Sequence, residues 1–197
     1  MTENEISHAF KNREPGAIDV MVSLYGDRLM RTAFLLCKNE ADAHDLVQET
    51  FLQAIKCRGN FNSEYALYSW LSGIMLNLNR QHYRKKKRMI LSDEFENTRD
   101  VGTFDPEHHL DKEKVFAVLY SIMEQLSLKH KEILILKYFE GLKIHEIAGI
   151  VGASKGTVKS RLHYAVKQMQ RKMPDHLKGF LYPNPGPNIK EHANELS

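Results

Sequence analysis

Gly141-Leu142-Lys143-Ile144-His145-Glu146-Ile147-Ala148-Gly149-Ile150-Val151-Gly152-Ala153-Ser154-Lys155-Gly156-Thr157-Val158-Lys159-Ser160-Arg161-Leu162-His163-Tyr164 holds two helical patterns on either side of one short turn. Ile144, Ile147, Ala148 and Val151 recur at three- and four-residue spacing, one apolar face of a short helix over Leu142 to Val151. Gly152-Ala153-Ser154 reads as a tight turn. Val158, Leu162, Ala165 and Met169 then form the buried stripe of a longer helix, expected from about Lys155 to Met173 and closed by Pro174. Ser154 is placed to cap that helix and leave backbone N–H groups free for a phosphate. Its other face carries Lys155, Thr157, Lys159, Ser160, Arg161, His163 and Tyr164, side chains suited to phosphates and base edges. Helix, three-residue turn, helix is the outline of a helix-turn-helix DNA reader. A plain helical hairpin with a polar face fits the periodicity equally well.

Helical periodicity extends outward on both sides. Upstream, Ser127 is placed to cap a helix carrying Ile133, Leu134, Leu136, Lys137 and Tyr138, which stops at Gly141. Another helix is expected over about Leu110 to Gln125. Nearer the N-terminus, Ile18, Val22, Tyr25, Leu29, Ala33 and Leu36 make one apolar stripe. Asn39 caps the next helix, whose Ala43, Val47, Thr50, Phe51 and Ala54 face inward as far as Lys56. Gly59 to Ser63 reads as a loop, and a third helix from near Tyr65 carries Trp70, Leu71, Ile74 and Leu78 and ends in a basic tail at Arg88. Between them, periodicity fails over residues 91–109. The expected fold is all-α: two small helical domains, 1–90 and 110–173, joined by a flexible acidic linker, with a disordered tail over 174–197.

Composition narrows the function. The 197 residues are 42% hydrophobic and 27% charged, with a net charge of +3, enough apolar content to exclude wholesale disorder. Apolar runs fall short of the roughly 18 residues a membrane helix needs. The start, Met1-Thr2-Glu3-Asn4-Glu5, shows no secretory signal. Cys37 and Cys57 form no CxxC pair, which fits a reduced cytoplasmic compartment. Charge is unevenly spread: residues 80–88 hold six basic side chains and no acid, while residues 126–173 hold ten bases against Glu132, Glu140 and Glu146. Two basic blocks around an acidic stretch suggest two polyanion-binding lobes. Phosphate-binding glycine loops, a nucleophile elbow and a zincin motif are absent from the sequence, since position 149 after His145-Glu146 is Gly. His108-His109 lack a ligand shell, so no catalytic residue, metal or cofactor is expected.

The literal strings carry a resemblance. Tyr138-Phe139-Glu140-Gly141-Leu142, Glu146-Ile147-Ala148 and Gly156-Thr157-Val158-Lys159-Ser160-Arg161-Leu162 resemble the −35-reading region 4 of bacterial RNA polymerase sigma factors, most of all the extracytoplasmic-function (ECF) subfamily. Asp42 to Ala54 resembles the DAxDLVQExFLxA signature of region 2 in the same family. From spacing alone, Asp45, Gln48, Glu49 and Leu52 share one helix side, and a carboxylate–amide–apolar face suits a basic partner as well as it suits water. The resemblance implies that this face docks on core RNA polymerase, with Asp45, Gln48, Glu49, Phe51, Leu52 and Ile55 as its contact set. Trp70-Leu71, Ile74, Asn77 and Arg84 resemble the run that reads and opens the −10 element, although Leu76, Gln81 and Ile144 depart from the family pattern. Asn60, Phe61, Asn62 and Ser63, in the Gly59 to Glu64 loop, would hold a flipped base; Asn77, Arg80, Arg84, Lys85, Lys86, Lys87 and Arg88 would line the DNA. Trp70 is expected in the core rather than as a stacking platform.

The function implied is a non-enzymatic initiation factor that binds core RNA polymerase and promoter DNA, controlled by a membrane-bound or soluble anti-sigma factor, without itself entering the membrane. Two rivals remain at this stage. One is an autonomous helix-turn-helix regulator, which would bind duplex DNA without polymerase. The other is a helical adaptor, which would lack salt-dependent DNA affinity.

Overall fold

The computed structural model describes residues 2–63, 66–92, 112–175 and 177, and every regular element among them is helical. The expected linker and tail fall almost wholly outside this set, as do His108 and His109. The elements are α1 (Glu3–Asn12), α2 (Ala17–Cys37), α3 (Glu40–Lys56), α4 (Leu67–Ser92), α5 (Lys112–Glu124), α6 (Leu128–Leu134), α7 (Ile144–Val151) and α8 (Lys155–Lys172). A 3₁₀ turn, Arg58–Asn60, follows α3, and a π turn, Ile135–Phe139, continues α6.

Helix α1 was not expected from periodicity. It starts in a reciprocal capping box: Thr2 N–H donates to Glu5 Oε2 (2.7 Å), and Glu5 N–H donates to Thr2 Oγ1 (3.3 Å). Ile6 and Phe10 are fully buried, so α1 belongs to the first bundle rather than to a loose terminus. On α2 the buried stripe runs through Met21, Tyr25, Leu29, Ala33 and Leu36. Val22, expected inside, is 42% exposed; the stripe passes through its neighbour instead. Asn39 caps α3 by accepting from Asp42 N–H (3.0 Å), as the sequence suggests. Helix α4 begins at Leu67, later than expected, and packs on α2 and α3.

In the second half, α6 packs on α8 and α7 lies across α8. Gly141 (φ +66°) and Gly152 (φ +62°) take the left-handed conformation at the turns flanking α7, where a side chain would be strained. Ser127 occupies the cap position of α6 but makes no capping bond with its side chain. The helix expected to run straight to Gly141 widens after Leu134, and Glu140 N–H donates to Ile135 O (3.0 Å). This extra residue leaves Tyr138 and Phe139 facing out and turns Glu140 toward the first half.

The two helical halves pack against each other. One apolar core runs from Ile6 on α1 through Leu71 and Met75 on α4 to Ile147, Val158 and Leu162. Phe10→Ala should therefore cost about 3–5 kcal/mol in urea unfolding, whereas Leu24→Ala, at a side chain 50% exposed, should stay within about 0.5 kcal/mol. A loss below about 1 kcal/mol for Phe10→Ala would mean that α1 is only a loose appendage.

Candidate nucleic-acid and protein-binding faces

On α8 the stripe Val158, Leu162 and Ala165 is buried and Met169 packs partly against the core. The opposite face exposes Ser154, Lys155, Ser160, His163 and Tyr164, with Thr157, Lys159 and Arg161 half-buried beside them. Ser154 Oγ accepts from Thr157 N–H (3.1 Å), so the start of the helix is fixed. The His163 and Tyr164 rings meet edge-on, 5.9 Å apart. His130 lies on α6; burial lowers its pKa, and the positive charge of Arg161 lowers it further. The whole face is basic and offers donors along three turns, the arrangement that fits a major groove.

On α3, Asp45, Gln48 and Leu52 are exposed, Leu52 by 50%. Glu49 is half-exposed and takes a 2.9 Å contact from His82 Nε2 on α4. Ile55 is half-buried. Phe51, which the resemblance adds to the contact set, is 9% exposed and belongs to the core, on the inward stripe that periodicity predicts.

Asn60 and Asn62 are exposed and Ser63 is half-exposed; Glu64, expected at the end of the loop, lies outside the described residues. Phe61 also differs from expectation. It is 1% exposed, with its ring 5.0 Å from Trp70 and 6.0 Å from Phe10, and so anchors the loop rather than stacking on a base. Trp70 packs against the core, as expected. Asn77, Arg84, Lys85, Lys86, Lys87 and Arg88 are exposed along the end of α4.

Arg80 has a different partner. Its Nε and Nη2 form a fork on Glu132 of α6 (2.8 and 2.6 Å), and the Glu132 side chain is only 1% exposed. The second junction centres on Glu140, whose side chain is 5% exposed. Its carboxylate accepts from Arg28 Nε (2.6 Å), from Tyr68 OH (2.6 Å) and from Thr32 Oγ1. Arg28 also donates to the Glu140 carbonyl (3.1 Å) and lies 3.7 Å over the Tyr68 ring. Burial raises the pKa of Tyr68, and the hydrogen bond to Glu140 raises it further, so the phenol stays a donor. Lys131 Nζ donates to Leu36 O (3.0 Å) and pairs with Glu124. Tyr120 OH donates to Phe34 O and Leu35 O, each at 3.3 Å. None of these junction residues stood out in the sequence as a bridge. One signal was present: residues 126–173 hold only three acids. Two of them make the junction, and the third, Glu146, accepts from Lys143 N–H (2.7 Å) to start α7.

Among the described residues no group of His, Cys, Asp and Glu could hold a metal, both cysteines are free, and no helix is long and apolar enough to cross a membrane.

Comparison with known proteins bears on both halves. Residues 21–89 match the family Sigma-70 region 2 and residues 116–169 match Sigma-70, region 4. The chain is 32% identical over 140 residues to the RNA polymerase sigma factor SigV of Bacillus subtilis, covering 71% of this chain and 81% of that protein. It is 28% identical to the ECF RNA polymerase sigma-E factor of Haemophilus influenzae, covering 88% and 96%. Among solved structures, the sigma factor RpoE of Bartonella quintana, in complex with the anti-sigma factor NepR, superposes with a TM-score of 0.66 at 25% identity, covering 80% of this chain and 96% of that one.

The Arg80–Glu132 fork lends itself to a double-mutant cycle. Arg80→Ala leaves a buried carboxylate unpaired and should cost about 2–3 kcal/mol, discounted because Arg80 is partly exposed. The cycle with Glu132→Ala should give a coupling of about 1–3 kcal/mol in urea unfolding; a coupling near zero would mean that the fork does not hold the halves together.

Proposed function

The chain belongs to the sigma-70 family of bacterial RNA polymerase sigma factors, in its ECF subfamily, and on that footing we propose which of its faces serves each step of promoter-directed initiation. The exposed α3 side, Asp45, Gln48, Glu49 and Leu52 with Ile55 at its edge, docks on core RNA polymerase. Asn60, Asn62 and Ser63 receive a base of the −10 element, and Asn77 with the basic end of α4 follows the strand. Ser154, Lys155, Thr157, Lys159, Ser160, Arg161, His163 and Tyr164 read the −35 element. The observation that carries this reading is the α8 face, where donors stand opposite the buried stripe of Val158, Leu162 and Ala165. The protein does no chemistry itself; it redirects an enzyme in the cytoplasm. An anti-sigma factor controls it, as one accompanies the Bartonella relative.

Geometry adds a step. The −10 and −35 elements lie about 25 base pairs apart, roughly 85 Å along the duplex at 3.4 Å per pair. In the docked arrangement Arg80 touches α6, which packs directly on α8, so the two DNA faces stand roughly two helix diameters apart, on the order of 20 Å. Both elements are reached only when the halves part. Arg80 then exchanges Glu132 for a phosphate, and the tether between the halves keeps their effective concentration high.

Two measurements test this reading. Mixed with purified bacterial core RNA polymerase, the protein should co-elute on a sizing column and Asp45→Ala/Glu49→Ala should not; co-elution of the double variant would displace the docking face, and no co-elution of either would favour an autonomous regulator. Spin labels on Leu24→Cys and Gln168→Cys, in a Cys37→Ser/Cys57→Ser background, should move apart by some tens of ångströms on joining core and promoter, the order set by the roughly 85 Å span. An unchanged distance would rule out the opening step.

A further inference from the structure

Lys11, on α1, lies outside the stretch that matches region 2. Its Nζ donates to Gly59 O (2.7 Å) and to Phe61 O (2.5 Å), two carbonyls of the loop between α3 and α4. The Phe61 backbone is extended (φ −74°, ψ 128°) directly after the 3₁₀ turn that ends at Asn60. Phe61 points inward and is buried, while Asn60 and Asn62 on either side point out. Beneath it, Phe10 of α1 meets both Phe61 and Trp70 (6.0 and 6.1 Å), and the Arg58 guanidinium lies 4.6 Å over the Phe10 ring. Helix α1 thus supplies the loop with an apolar floor and a polar tether.

The floor alone fixes one side chain. The tether fixes two carbonyls, and with them the direction of Asn60 and Asn62. A loop that captures an unstacked base loses affinity for every torsion it must order on binding, and holding the torsions beforehand removes that loss. We propose that Lys11 is a positioning residue for base capture, holding the 59–63 loop in the one register that presents Asn60 and Asn62 to single-stranded DNA. The proposal rests on the reading that this loop receives a −10 base. Removing the ammonium while keeping the stem leaves the Phe10–Phe61–Trp70 floor intact, so the effect belongs to recognition rather than to folding.

The test uses holoenzyme, reconstituted from the full chain and purified bacterial core polymerase, and a pool of single-stranded DNA decamers randomised at every position. Wild-type holoenzyme should enrich particular bases. Lys11→Met should flatten that preference by about fivefold or more, with core co-elution unchanged. Lys11→Arg, which keeps donors, should retain the preference within about twofold. A wild-type preference profile in Lys11→Met overturns the proposal. So does a loss of core co-elution or of cooperative unfolding in Lys11→Met that Lys11→Arg shares, because Lys11 would then be structural. Asn60→Ala/Asn62→Ala separates the two levels. If that variant loses the preference and Lys11→Met keeps it, only the role of Lys11 fails; if it keeps the preference, base capture lies elsewhere and the reading of the loop fails together with this inference.

Discussion

A carboxylate cannot stay charged in a protein interior without partners, and Glu140 has drawn three side-chain donors from the opposite half of the chain. Arg28, Thr32 and Tyr68 come from α2 and α4, more than seventy residues away in sequence. Losing Arg28 would leave the buried carboxylate with only hydroxyl donors, so this cluster constrains how the two halves meet. Replacing a buried ion pair by apolar groups is often neutral or stabilising, so such a pair is weak evidence of added stability. What the cluster supplies is geometry: it favours one docking of the halves over the many that apolar surfaces alone would allow. The π turn serves the same end, because without its extra residue Glu140 would face another direction.

The same charges that hold the docked arrangement are the charges DNA would claim. Arg80 sits on the basic helix proposed to follow single-stranded DNA, yet here its guanidinium is satisfied by Glu132. A phosphate and a carboxylate offer the fork similar geometry. Exchanging one for the other would keep the two hydrogen bonds of the fork. His82 stands in an equivalent position between α4 and the α3 face, against Glu49.

Much of this was legible in the sequence. The stripe on α8, the caps at Asn39 and Ser154 and the left-handed Gly141 and Gly152 are set by local rules, namely periodicity, side-chain capping and the cost of a Cβ at positive φ. Helix α1 is absent from the sequence reading, although Thr2 and Glu5 spell a capping box and Ile6, Ala9 and Phe10 recur at helical spacing. Phe51 lies in the core where periodicity puts it, whereas the depth of Phe61 is not legible from its motif, because Phe10 and Trp70 on other helices bury it. Lys11 left no trace at all, since its partners are backbone carbonyls some fifty residues on.

Local pattern is enough for the inward stripes of α2, α3 and α8, the helix-turn-helix and the family, because each is encoded within a few turns or in a contiguous motif. Tertiary structure alone decided that the two basic lobes lie against each other, which arginine answers which glutamate, and which way the 59–63 loop presents its asparagines. Those outcomes depend on groups brought together from distant positions and on the high cost of an unpaired charge away from water, a cost that exists only once the chain has closed around it.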